Sequence, residues 1–257
     1  MNGIEYIAII LVMILARIAA FISTFPLFRS AMLPQSIKVS LAFALAVLWM
    51  SNLALDAGAN FPPQIPGGGL GIGLAVIREA VIGALLGFLL GLLFLPAELA
   101  GGYLGQEIGF NMAGVSDPTT DTQSNVFGDF ISALSMFVFF AADAHQLALG
   151  SLFASFRTLP LGKPLPYLPI ATVTESFNQV HEWGMELAAP LGAGLFLVTI
   201  ITAMLMKISP QLNLFSVGIP VRLLLGLLAA FALMPEIVDV MFRIFSQQRV
   251  LIKHLGL

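Results

Sequence analysis

Cysteine is absent from all 257 residues, which rules out disulfides and thiolate chemistry and leaves the redox compartment open. Charge is scarce: Asp, Glu, Lys and Arg make up 10% of the chain, and the net charge of -3 argues against nucleic acid as a partner. The three histidines, His145, His181 and His254, stand apart from one another. Asp143 and His145 bring a carboxylate near an imidazole, but such a pair at a helix end reads as a solvated cap. No H-E-x-x-H, G-x-S-x-G or P-loop pattern occurs, so neither an enzyme nor a bound metal or cofactor is expected. No Lys or Arg precedes the first apolar run and no A-x-A site follows it, so a cleavable signal peptide is not expected either.

What the chain has in abundance is apolar sequence. It is 58% hydrophobic, with a mean hydropathy of +0.97. Several apolar runs reach about twenty residues, the length that crosses a bilayer core, so the chain reads as an integral membrane protein or an obligate part of one. The runs are 7–25, interrupted by Arg17, then 37–55, 70–95, 126–140 continuing towards Phe156, 187–206 and 212–234. Proline and glycine separate them: 56–69 holds three prolines and three consecutive glycines, and 157–174 holds four prolines and reads as an extended loop. Residues 178–186 are mildly amphipathic and begin a helix, and Pro235 is placed to kink the last one. The expected fold class is all-α, with about six long hydrophobic helices in one domain, 1–257. Met112, Met136, Met204 and Met206 read as packing residues.

Residues 101–124, GGYLGQEIGFNMAGVSDPTTDTQS, resemble nothing else in the chain. Gly101, Gly105 and Gly109 recur every four residues, which on a helix makes one bare face for close approach of another backbone. Gly83, Gly87 and Gly91 form a second such face. After Gly109 the stretch breaks at Gly114 and Pro118 into a polar loop carrying Asp117 and Asp121. Such a loop is tolerated in a membrane bundle only where protein or a water-filled cavity surrounds it, which hints at a pore. Phe110 reads either as a core aromatic or as a bulky side chain at the rim of a constriction.

Charge placement conflicts with a simple bundle. Arg29 and Lys38 mark the first connection as cytoplasmic, and Arg243, Arg249 and Lys253 mark the C-terminus likewise, yet six complete spans would put these on opposite sides. Arg17, Arg78, Glu79, Glu98, Glu107, Asp129, Asp143, Arg222 and Glu236 lie inside or at the edges of apolar helices. A central Arg or Asp facing lipid costs about 2.5 to 3.5 kcal/mol, so these groups must face protein, water or each other, with about half snorkelling at interfaces. Arg78 and Glu79 are adjacent, so on a helix they point about 100° apart and are expected to find partners elsewhere rather than in each other.

Three segments now carry a resemblance. They are Arg17 with the Phe25-Pro26-Leu27-Phe28 turn, Pro34 and Lys38; Gly102, Gln106, Gly109 and the Asp117-Pro118 pair; and the connection Pro210, Asn213, Phe215, Gly218, Pro220, which has the form P-x-x-N-x-F-x-x-G-x-P. Together they resemble the FliR family of flagellar export-apparatus proteins, and they span nearly the whole chain. The resemblance implies one copy of this subunit in a right-handed helical assembly with several FliP and FliQ subunits, in the bacterial inner membrane within the flagellar basal body. FlhB and FlhA, membrane lipid and unfolded export substrates are the other implied partners. In that family the loop matching 106–124 helps to plug the channel. This makes Gln106, Phe110, Met112, Gly114, Asp117 and Pro118 the plug candidates, with Phe110 and Met112 at the apolar constriction. Residues 1–186 resemble a FliP-like part and 187–257 a FliQ-like hairpin. The equivalent subunit of a virulence-type injectisome is the alternative. A secondary transporter is a further rival, but it should show repeated halves, and 101–124 has no counterpart in the C-terminal half.

Overall fold

The apolar runs fold as helices. In a computed structural model of the chain, residues 3–29, 33–55, 68–109, 125–162, 170–208 and 218–246 are described. Among them the helices are α1 (Gly3–Thr24), α2 (Pro26–Arg29), α3 (Gln35–Leu55), α4 (Gly69–Gly91), α5 (Leu95–Ile108), α6 (Val126–Ala141), α7 (Ala144–Thr158), α8 (Ile170–Ile208), α9 (Ile219–Ala232) and α10 (Met234–Ser246), with no strand among the described residues. The fold is all-α.

Several boundaries differ from those expected. The run 70–95 stops at Gly91, turns through Leu92, Leu93 and Phe94, and restarts as α5 with a proline in its first turn, where no backbone donor is needed. The run 126–156 breaks at Ala142 and Asp143, where Asp143 adopts a left-handed φ of 54°. The loop expected over 157–174 is shorter, because α7 continues to Thr158 and α8 already begins at Ile170. The amphipathic piece and the fifth run are one helix of 39 residues containing Pro190. At about 1.5 Å per residue α8 is about 58 Å long, well beyond a hydrocarbon core of about 30 Å. The sixth run bends by 56° between α9 and α10, beside Pro235. Proline there removes a donor and crowds the preceding turn.

Three described helices are long and apolar enough to cross a membrane, within Ile4–Thr24, Gly69–Gly91 and Phe177–Leu205. Counting Val126–Ala141 with Ala144–Thr158, and Pro220–Ala232 with Met234–Ser246, as broken spans raises the number to five.

The described chain forms two compact units. The first holds the described residues of 1–92 and 145–174. Its α1 carries an apolar stripe at helical spacing, with Ile10, Met13, Ile14, Ile18, Phe21 and Ile22 all buried. Parallel packing of α1 on α4 follows from the glycines of α4: a Cβ at Gly83 would lie 2.0 Å from the Arg17 carbonyl oxygen, one at Gly87 2.7 Å from the Phe21 carbonyl oxygen, and one at Gly91 2.9 Å from Pro26. Both sets of numbers rise together, so the two helices run the same way. Trp49 of α3 stacks on Phe153 of α7 with ring centroids 4.6 Å apart.

The second unit holds the described residues of 93–144 and 175–246. Its core is a three-ring cluster in which Phe94, Phe139 and Phe245 meet with centroid distances of 5.0, 5.4 and 5.5 Å. Ile108, Leu104 and Ile131 continue that core along α5 and α6.

Candidate functional site

The second unit holds the base of the distinctive polar stretch. Helix α5 ends at Ile108, and Gly109 caps it with a left-handed φ of 98°, a conformation that costs glycine nothing. Helix α6 begins after Asn125, whose side-chain oxygen accepts from the Gly128 amide at 3.0 Å. Asparagine immediately before an apolar run is a helix-start signal, and this one satisfies an otherwise orphaned donor. The same side chain reaches across to α5, where its Nδ2 donates to the Gly101 carbonyl at 3.1 Å and lies 3.5 Å from that of Gly102.

Glycine makes this approach possible. A Cβ at Gly101 would lie 2.9 Å from the Gly128 Cα, and one at Gly105 would lie 1.9 Å from the Asn125 Oδ1. The bare face of α5 is therefore occupied by α6 of the same chain, and the pairing of 101 with 128 and 105 with 125 is antiparallel. Gly105→Leu is expected to push the two helices apart and lower the yield of assembled complex on native gels. A normal yield would count against the close-packing argument.

Gln106 and Glu107 lie exposed in the last turn of α5, whereas Ile108 is fully buried, with its side chain against Gly226 of α9. Phe110, Met112, Gly114, Asp117 and Pro118 lie outside the described residues, as do Pro210, Asn213 and Phe215. Of the P-x-x-N-x-F-x-x-G-x-P connection, Gly218 and Pro220 are described; Gly218 is the N-cap of α9, and Pro220 sits exposed in its first turn.

In the first unit, the charged residues converge. Arg17 and Glu79 are completely buried. The Arg17 Nε donates to Glu79 Oε2 at 2.8 Å, and Nη2 donates to the same oxygen. Nη1 donates to the Ser155 carbonyl at 3.0 Å and the Ser155 hydroxyl at 3.2 Å, and Nη2 to the Leu159 carbonyl at 3.0 Å. The guanidinium lies 4.4 Å from the centre of the Phe156 ring. All five donors of the fork are thereby used. Two of the acceptors are carbonyls at the C-terminal end of α7, where positive charge is favoured; that of Ser155 also accepts from the Leu159 amide at 2.8 Å.

Glu79 is equally occupied, because its Oε1 accepts from Arg78 Nη2 at 3.0 Å and from the Gly162 amide at 3.4 Å. Arg78 and Glu79 do pair, contrary to the expectation from their 100° separation. The long arginine side chain reaches the neighbouring carboxylate, which is shared between it and Arg17. Gly83, one turn beyond Glu79 on the same face, lets α1 come close enough for the pair to meet.

Arg222 sits in α9 facing α8. It is half-buried, and its Nη2 donates to the Thr199 hydroxyl. Gly226, one turn on, lies against Leu195, so 199 with 222 and 195 with 226 pair in antiparallel fashion. Residues 187–235 contain no Asp or Glu. Glu98, Glu107, Asp129, Asp143 and Glu236 are exposed in the isolated chain. Among the described residues, no group of three or more His, Asp or Glu is placed to hold a metal ion.

Composition could not single out Asn125, Ser155 and Phe156 as members of these clusters. Asn125 carried a local signal, its place just before an apolar run, whereas the other two became visible only through α7 meeting α1.

Comparison with known proteins covers nearly the whole chain. Residues 8–248 match the model of a family described as bacterial export proteins, family 1. The flagellar biosynthetic protein FliR of Bacillus subtilis (strain 168) is 28% identical over 250 residues, which is 96% of this chain and 94% of that protein. The protein of the same name in Escherichia coli (strain K12) is 27% identical over 234 residues, covering 91% and 87%. That of Aquifex aeolicus (strain VF5) is 27% identical over 233 residues, covering 90% and 87%.

Proposed function

Because the chain belongs to the bacterial export proteins, family 1, we propose that it is a membrane-embedded component of the flagellar protein export apparatus. Within that apparatus it acts as a passive gate. One copy joins FliP and FliQ subunits to form the channel for unfolded flagellar axial proteins, next to FlhB and FlhA in the inner membrane at the flagellar basal body. Residues 106–124 plug the channel when it is closed. Phe110 and Met112 supply the apolar constriction, and Gly114 to Pro118 let the plug move aside for a substrate. Residues 1–186 correspond to a FliP-like part and 187–257 to a FliQ-like hairpin; the antiparallel pairing of α8 with α9 supports the second assignment.

The observation that carries this reading is the family match over residues 8–248. One feature of the molecule supports a hetero-oligomer. Arg222 is a cation in a stretch without carboxylates, which an acidic side chain on a neighbouring subunit would neutralise. Topology is compatible too. Five crossings would return the C-terminus to the side of the first connection, where six would not.

Purified in mild detergent from its own bacterium, the tagged chain is expected to bring down two smaller hydrophobic subunits as a stable complex. Arg222→Glu should lose them, while Arg222→Lys keeps most. Recovery of the chain alone under conditions that keep it folded would overturn the reading. The flagellar names of the relatives favour a flagellum over an injectisome, and loss of swimming in a deletion strain with unimpaired growth decides between them.

A further inference from the structure

We propose that Asn125 is a positioning residue that ties together the two helix ends from which residues 110–124 depart and to which they return. The inference rests on the reading of 106–124 as the channel plug, and it adds the device that holds the root of that plug in place.

An N-cap residue needs only an acceptor, and Ser, Thr or Asp would serve α6 as well as Asn does. Asn125 uses both ends of its amide. The oxygen caps α6 at Gly128, and the nitrogen donates to Gly101 on α5, with Gly102 also in range. Of the side chains with that length, only an amide offers an acceptor and a donor together. Aspartate has the same shape but accepts only, so it would cap α6 and turn a carboxylate oxygen towards two carbonyls.

The surroundings are built around this one side chain. A Cβ at Gly105 would fall 1.9 Å from its oxygen, and one at Gly128 would fall 2.8 Å from its nitrogen. Neither helix can therefore carry a larger residue at these positions without expelling the amide. Gly109, where α5 ends, lies one turn beyond Gly105. The amide thus holds the last two turns of α5 against the first turn of α6. It sets the separation between Gly109 and Asn125, the two ends from which a fifteen-residue segment is strung.

The test separates the bridge from the cap. In the complex purified with its partner subunits, Asn125→Asp is expected to leave hydrogen exchange at the Gly128 amide slow, because the cap persists. Exchange of the amides at 105–109 should quicken by up to about tenfold, the change that loss of one hydrogen bond supports. Asn125→Ser, which retains a shorter cap, should do the same, and serves if the aspartate variant fails to accumulate. In cells the aspartate variant is expected to raise ion leakage with complex yield unchanged. Equal exchange at 105–109 in wild type and both variants overturns the proposal, because Asn125 would then act as an N-cap alone; so does equal acceleration at Gly128 and at 105–109, which would mean that the substitutions loosen the helix pair as a whole. Faster exchange at 105–109 alone with unchanged leakage would uphold the tie and sink the plug reading instead.

Discussion

Replacing residues 110–124 by a short glycine-serine bridge is expected to leave the complex assembled and the membrane leaky to ions and small molecules. The family resemblance bounds the plug at Gln106 to Ser124, but α5 extends to Ile108, so the replacement starts later. Gln106 to Ile108 are the last turn of α5, and Ile108 is fully buried against Gly226. Removing a side chain of that size from a core costs about 2 to 5 kcal/mol, enough to confuse a lost plug with a damaged helix pair. Starting after Gly109 spares α5, its cap and the contact with Asn125. Phe110→Ala should leak in the same direction to a smaller extent, since it empties the constriction without removing the chain that fills it. Conductance across the bacterial membrane, measured beside complex yield on native gels, decides the matter. An intact complex with wild-type conductance in both variants would end the plug reading.

Glu79→Ala is expected to be the most damaging single substitution in the first unit. It strands the Arg17 guanidinium, which is fully buried and inside an apolar helix, without its counter-charge. Breaking a buried pair from one side costs about 3 to 5 kcal/mol, because the desolvation of the remaining charge is no longer offset. The damage spreads, since Arg17 also holds the Ser155 and Leu159 carbonyls and Glu79 also accepts from Gly162. Three segments of chain would lose their common anchor. The double variant Arg17→Met, Glu79→Leu should recover a large part of the loss, because neither charge is left unpaired and the methionine still lies against Phe156. Thermal unfolding in detergent and accumulation in the membrane measure both. If Glu79→Ala unfolds within a degree or two of the parent, the pair does not anchor α7, and its burial needs another explanation.

Much of the helical framework was legible beforehand, and the reason is periodicity. The described parts of the long apolar runs are helical, short breaks apart, because a chain with this composition must satisfy its backbone internally. The glycine spacings on α4 and α5 announced bare faces, since four residues return a helix to the same side. What such a face touches is a different matter: Gly83 meets α1 and Gly105 meets α6, partners that no local window contains. The short breaks were harder to read. The turn at Leu92 to Phe94 and the left-handed Asp143 interrupt runs that are apolar throughout, so hydropathy did not register them. Arg78 and Glu79 pair although their backbone directions diverge, because a side chain as long as arginine can reach round to its neighbour.

By itself the sequence determined that this is an all-helical membrane protein, and the glycine spacing of 101–109 marked a close-packing helix face. These are properties of composition and period, which are local. Only the tertiary structure decided that Arg17 and Glu79, sixty-two residues apart, neutralise each other on the end of α7. It alone decided that Asn125 spans the gap between α5 and α6. Both depend on which surfaces meet, and a buried charge or amide is satisfied by whatever the fold brings to it, often from a part of the chain far away in sequence.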